Sequence, residues 1–183
     1  MHKKTILITG AANGIGQVLT KRCLNGGYRV VGCGIDKKGL ESLKEMSESD
    51  ALSIFHVDVS NHEQVTLLFD DFKKHGLQPN CLVNNAGIYL GRNLLDYSLE
   101  EIQRVINVNC MGAIFFSQLF AKSIFFNQIK GIIVNISSVA GEEGSSDAVY
   151  GLSKAALLGL TKSCAMNFAP SIKKLKEHFQ KQE

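Results

Sequence analysis

"TILITGAANGIGQVLTKRCLN", residues 5–25, decides the fold. Its first five residues are almost all aliphatic or β-branched, the composition of a strand covered on both faces. Glycines follow at 10, 14 and 16, and a helix-like stretch runs over 15–25. Glycine is needed where a backbone turns tightly and lets a diphosphate come close. A helix beginning there offers that anion free N–H groups and the positive end of its dipole. The spacing is G-x-x-x-G-x-G, without the Gly-Lys-Ser/Thr ending of a phosphate-cradling ATPase loop. Alone, such a turn could be a glycine-rich connection that binds nothing. Its place directly after the first strand points to a dinucleotide.

The same alternation continues downstream. Strand-like runs fall at 5–9, 29–33, 52–57, 80–84 and 131–137, and helix-like stretches at 15–25, 38–46, 63–75, 99–126 and 148–168. Strand–helix repetition of this kind predicts an α/β fold: a doubly wound parallel sheet with helices on both faces. Right-handed crossovers then place ligands beyond the carboxyl ends of the strands. The stretch 99–126 is rich in Phe (115, 116, 120, 125, 126), which reads as core packing and a helix-pair surface. Residues 1–170 are expected to form one dinucleotide-binding domain that also holds the segment 135–154. Residues 171–183 read as a short basic amphipathic tail, with Ile172, Leu175 and Phe179 at helical spacing.

Composition narrows the function classes. The chain has 183 residues, 45% hydrophobic and 20% charged, enough to bury a core. A net charge of +3 with mixed signs, and no basic groove interleaved with aromatics, argues against nucleic acid. Five scattered cysteines with no C-x-x-C read as reduced and mostly buried, with no metal site expected. The apolar run in MHKKTILITG is too short for a signal peptide or a membrane span. The expectation is a soluble, cytoplasmic protein without a membrane partner.

The chemistry is expected in "NISSVAGEEGSSDAVYGLSK", residues 135–154. Tyr150 and Lys154 are four apart, so they share one helix face and can point into one site. A free phenol exchanges its proton only near pH ~10. A cation about 4 Å from a phenolate stabilises it by ~4 kcal/mol at an effective dielectric near 20, which brings proton exchange toward neutrality. A nearby serine hydroxyl can hold the same substrate oxygen. The intervening "EEGSSD", 142–147, reads as a solvated acidic loop at the entrance.

With these motifs in order, the chain resembles the short-chain dehydrogenase/reductase family over roughly residues 4–172, and with it a Rossmann-like sheet. "TGAANGIG" resembles that family's cofactor turn, which implies contacts from Gly10, Asn13, Gly14, Ile15 and Gly16. "VDV" at 57–59 implies adenine contacts from Asp58 and Val59. "NNAG" at 84–87 implies that Asn85, Ala86 and Gly87 line the cofactor. "NVN" at 107–109 puts Asn109 where the family has its catalytic asparagine. "SSVAG" at 137–141 aligns Ser138 with the catalytic serine, with Ser137 the alternative, and "YGLSK" supplies Tyr150 and Lys154. The implied cofactor is NAD or NADP, with its nicotinamide ribose gripped by Lys154. The implied reaction moves hydride between a nicotinamide and a small alcohol or ketone, with Tyr150 as general acid/base.

Three departures from the family pattern matter. The usual acidic slot after the second strand falls on Gly34 and the NADP-type arginine slot on Ile35, with Asp36 beyond and Lys37 and Lys38 following. Asp36 reaching back to the adenine ribose would favour NAD and Lys37 would favour NADP, and the absent arginine leaves the lean toward NAD. Residues 169–172 resemble the lead-in to a sixth strand, after which the family's last strands are lacking. The run 131–137 then becomes an exposed edge, expected to be covered by the tail or a partner molecule. A homodimer through helices 99–126 and 148–168 is implied. The competing reading is a non-catalytic NAD(P)-binding or dimerising protein.

Overall fold

β1 (Thr5–Thr9) is buried at every position, as its unbroken aliphatic run requires. In the computed structural model, the backbone is described for residues 4–45 and 50–179, and side chains within that range up to residue 168. After β1 come α1 (Gly14–Asn25), β2 (Arg29–Gly34), α2 (Lys37–Glu45), β3 (Leu52–His56), α3 (His62–Lys74) and β4 (Cys81–Asn84). Then follow α4 (Leu99–Ile106), α5 (Gly112–Phe126), β5 (Ile132–Asn135) and α6 (Ala148–Phe179). The strands pair in the order β3-β2-β1-β4-β5, all parallel.

Register sorts the side chains into two cores. Leu7 lies opposite Val31 on one side and Leu82 on the other. These three face Phe69, Phe72, Phe116 and Phe120 from α3 and α5. One residue along, Ile8, Val30 and Val83 face the other way, against Leu40 and Leu43 of α2. Period-two alternation thus covers both faces. Phe116 and Phe120 are at most 2% exposed, and burying such a ring stabilises the fold by about 1.5–3 kcal/mol. β2 and β3 lie to one side of β1, β4 and β5 to the other, so the crevice opens above the ends of β1 and β4.

The helix expected over 99–126 is not uniform. A π turn, Asn107–Met111, separates α4 from α5 and inserts the buried Asn109 at the sheet's carboxyl end. The whole run Leu99–Phe126 is long and apolar enough to cross a bilayer. Its Phe116, Phe120 and Ile124 instead fill the core against the sheet.

β5 is shorter than the expected 131–137: it spans Ile132–Asn135, and Ile136 N–H makes one more bond to the Asn84 carbonyl. Among the described residues it is an edge strand: Ile132 is 62% exposed. A cavity of about 1450 Å³ runs beside it, lined by Ile132, Ile133, Ile124, Cys164 and Phe168 among others. The region 169–172, read as the start of a sixth strand, is instead helical backbone, continuous with α6 to Phe179. The amphipathic character expected of the tail falls outside the described side chains. A line of polar side chains ties β5 in place. Asn84 Nδ2 donates to Ser117 Oγ (3.0 Å) and Asn135 Oδ1 (2.8 Å), and Asn135 Nδ2 donates to Thr161 Oγ1 (2.8 Å).

Candidate active site

The turn after β1 is built for close backbone approach. Gly10 has φ 65°, and a Cβ there would stand 2.9 Å from the Ala86 Cα. At Gly16 a Cβ would run into the Gly10 carbonyl. The first intrahelical bond of α1 runs from Gln17 N–H to the Asn13 carbonyl, so the amides of 14–16 lie ahead of it at the helix start. Gly14 and Ile15 are exposed at that start. This bare N-terminus, with no acidic side chain in its first turn, fits a diphosphate.

Asp36 sits just past β2 and turns back toward this helix. Its Oδ2 accepts the Asn13 side-chain amide at 2.9 Å, and its Oδ1 accepts Gly39 N–H in the first turn of α2. The Asn13 bond first, then the Gly39 bond, hold its carboxyl below the usual range. Gly34 is the buried last residue of β2, and Ile35 is exposed. Asp58 Oδ1 accepts both the amide and the hydroxyl of Ser60. Val59 is buried, pressed so near α5 that a Cβ on Gly112 would come within 2.9 Å of its Cγ2.

The end of β4 is locked to the end of β1. Asn85 Nδ2 donates to the carbonyls of Thr9 (2.9 Å) and Gly10 (3.2 Å). Thr9 Oγ1 accepts the amides of Asn85 and Ala86, both at 3.0 Å. Asn85 therefore acts on the glycine turn by holding its backbone. Thr9 shares that work and went unnoticed in the sequence, where it reads as one more strand residue. Gly87 follows at the centre: a Cβ there would lie 3.3 Å from Asn109 Oδ1 and 3.4 Å from Lys154 Nζ.

Asn109, Tyr150 and Lys154 come together on this spot. Asn109 is 1% exposed. Its Oδ1 accepts Ile88 N–H (2.8 Å), and its Nδ2 donates to the Ile88 carbonyl (2.9 Å) and Ser153 Oγ (2.9 Å). Its side chain thus fixes the segment after β4 to α6. Lys154 is 5% exposed; its Nζ donates to the Ile136 carbonyl at 3.0 Å and stands 5.7 Å from the centre of the Tyr150 ring. Burial pushes the Lys154 pKa down from its ordinary value, opposed by the nearby Cys110. The two candidate serines differ. Ser137 Oγ donates to the Lys154 carbonyl at 2.7 Å, whereas Ser138 Oγ accepts Ala140 N–H at 3.2 Å.

Two further residues escaped the sequence reading. Tyr89 is 60% exposed and sets its ring edge-to-face on Tyr150, centroids 4.9 Å apart. Asp147 corrects the reading of 142–147 as a solvated loop, because it is wholly buried. It caps α6 by accepting Tyr150 N–H (2.9 Å), and both its oxygens lie 2.8 Å from the Tyr97 hydroxyl. Burial and that carboxylate push the Tyr97 phenol up to about 12. The signal was present: an Asp just before a helix start is a preferred cap.

Known proteins resemble this chain in sequence and in fold. A family model for short chain dehydrogenase matches residues 4–173. The short chain dehydrogenase/reductase dpchG of Colletotrichum higginsianum is 34% identical over 172 residues, covering 91% of this chain and 64% of that protein. Meso-2,3-butanediol dehydrogenase of Serratia marcescens is 28% identical, over 90% of this chain and 65% of the relative. Among solved structures, 4-hydroxyisoleucine dehydrogenase complexed with NADH superposes with a TM-score of 0.86 at 35% identity, over 93% of this chain and 70% of that one. The closed form of serine dehydrogenase complexed with NADP+ gives 0.84 at 26% identity, over 90% and 66%. This chain thus spans about two thirds of the length of such relatives. A parallel sheet reversing at β1 and β4, a glycine turn on its crevice, and a family match over nearly all of the chain lead to one assignment: the chain belongs to the short-chain dehydrogenase/reductase family.

Proposed function

We propose that the chain is an NAD(P)-dependent oxidoreductase that interconverts a secondary alcohol and a ketone, with Tyr150 as general acid/base. The observation that carries this is the buried Lys154 ammonium beside the Tyr150 ring, under Gly87 and beside the crevice. In this reading Tyr150 takes the proton from a substrate hydroxyl, or returns it to a carbonyl oxygen. Lys154 stabilises the phenolate while it lasts and holds the cofactor's ribose. Ser138 donates its hydroxyl to the same substrate oxygen, supported by the commitment of Ser137 to the Lys154 carbonyl. Asn109 holds Ile88 and Ser153, so it orients the pocket floor. The residues that would hold the cofactor are Gly10 and 13–16 at the diphosphate, Asp36, Asp58 and Val59 at the adenosine, and 85–87 at the nicotinamide side. A bound nicotinamide supplies or takes up the hydride.

Asp36 favours NAD. Its carboxylate, held at the α1 start by Asn13, accepts ribose hydroxyls and repels a 2′-phosphate. One solved neighbour carries NADH and another NADP+, so the preference for NAD rests on Asp36 alone. Butanediol and 4-hydroxyisoleucine, in the names of two relatives, carry secondary hydroxyls, which supports a small hydroxylated substrate. The protein is further read as a cytoplasmic homodimer through α4–α5 and α6. A second reading, a nucleotide-binding protein without turnover, draws on the exposed β5 edge as a surface for a partner.

Calorimetric titration with NAD, NADH, NADP and NADPH, followed by a screen of secondary alcohols and ketones, separates the readings. The expected result is tighter binding of the NAD pair and turnover that Tyr150→Phe lowers by 10²-fold or more, on the order of general acid–base contributions, with cofactor affinity kept. Tight binding with no turnover selects the second reading. Binding of none of the four removes both.

A further inference from the structure

Asp147 holds more than a helix cap needs. A cap must accept one or two amides of its own helix, and a serine does that as well. Here the carboxylate accepts Tyr150 N–H on Oδ1, and then reaches back along the chain. Its Oδ2 accepts Gly91 N–H (3.0 Å) and Arg92 N–H (3.4 Å), and the Tyr97 hydroxyl lies 2.8 Å from both oxygens. These donors are 50 to 56 positions upstream. The same upstream segment bears Tyr89, whose ring rests on Tyr150, and Gly91 packs on that ring, its nearest point for a Cβ being 3.4 Å from Tyr89 Cε1. Beyond Tyr97, Arg92 pairs with Glu101 at 2.8 Å, and Ser98 and Glu101 close a capping box on α4. A single buried anion therefore joins the start of the helix carrying Tyr150 to the wall that Tyr150 touches.

We propose that Asp147 is a positioning residue of the active site: it latches the segment 89–97 to the first turn of α6 and so fixes Tyr89 and Tyr150 against each other. The kinetic half of this proposal rests on the oxidoreductase reading above; the structural half does not. The latch predicts that the substrate wall and the proton-handling phenol move as one unit. It also explains why a fully buried carboxylate is tolerated. Four donors converge on it, so its charge is dispersed over hydrogen bonds without a cation.

Two variants of the full chain test this. Asp147→Ser retains a cap for α6 but cannot reach Gly91, Arg92 and Tyr97. Tyr97→Phe removes one hydroxyl and leaves a ring of the same shape. Amide hydrogen exchange is read first. In Asp147→Ser the Gly91 and Arg92 amides should exchange about tenfold faster or more, as loss of bonds to a charged group implies. Amides of β1 and β4 should stay within about twofold. Tyr97→Phe should shift the same two amides in the same direction, by about threefold or more. Kinetics are read second. In both variants kcat should fall, by about tenfold in Asp147→Ser, while NAD affinity measured by calorimetry stays within about twofold. Unchanged exchange at Gly91 and Arg92, or equal acceleration throughout β1 and β4, overturns the latch. If Asp147→Ser does not fold, Tyr97→Phe decides on the same two amides. A wild-type chain that shows the exchange pattern but no turnover keeps the latch and rejects the oxidoreductase reading. Turnover unaltered by both variants overturns the positioning role.

Discussion

At the scale of single residues, Lys154 carries the sharpest consequence. Burial lowers its pKa from the ordinary 10.5, so the folded state gives up this proton at lower pH than the unfolded chain does. Between the lowered value and 10.5 the unfolded state binds more protons, and stability rises with pH through that window. Wild type should therefore gain stability relative to Lys154→Met between pH 7 and about pH 10, read from urea unfolding of both at each pH. A difference independent of pH would show that the ammonium is well solvated. The Tyr150–Lys154 pair was legible in the sequence because four residues is one helical turn. The different bonding of the two serines was not, because it depends on a carbonyl of α6 that approaches Ser137 only in the folded chain. Asp147 was misread for a related reason. Its neighbours Glu142 and Glu143 are exposed, so composition described the loop correctly and its last residue wrongly.

At the scale of elements, the π turn between α4 and α5 is a device and not a defect. The extra residue turns Asn109 inward, where three hydrogen bonds join the turn to the segment after β4 and to α6. Asn109→Ala leaves the Ile88 amide and carbonyl without these partners. We expect a loss on the order of 3 kcal/mol, measured as a lower urea midpoint, with Asn109→Asp intermediate because it keeps the Oδ1 acceptor. The strands and most helices were readable from aliphatic runs and amphipathic spacing, with ends within a residue or two. The π turn was not, since helical periodicity over 99–126 gives no sign of one inserted residue. Nor was the helical path of 169–172, where Pro170 and a family pattern suggested a break.

On the scale of the whole molecule, the sheet is two-sided but unequal. β3 and β5 are its edges, and β5 presents Ile132 and Val134, 62% and 40% exposed, beside a large apolar cavity. An edge of this kind pairs readily with other chains. Ile132→Lys should raise the concentration at which the protein begins to associate beyond a dimer, followed by light scattering, and leave the proposed helix-mediated dimer intact in sedimentation. Equal association with and without the lysine would show that the edge is already covered. The doubly wound order was foreseeable, because right-handed crossovers leave few alternatives. What keeps β5 aligned was not, as it depends on side chains from four separate elements. Ser117, Asn84, Asn135 and Thr161 work together as a ruler. Were β5 to slip by one position, Asn135 would swing to the opposite face and Lys154 would meet a carbonyl pointing elsewhere. A misthreaded sheet would thus lose its clasp and its buried ammonium's acceptor together, and would come apart instead of persisting as an inert look-alike.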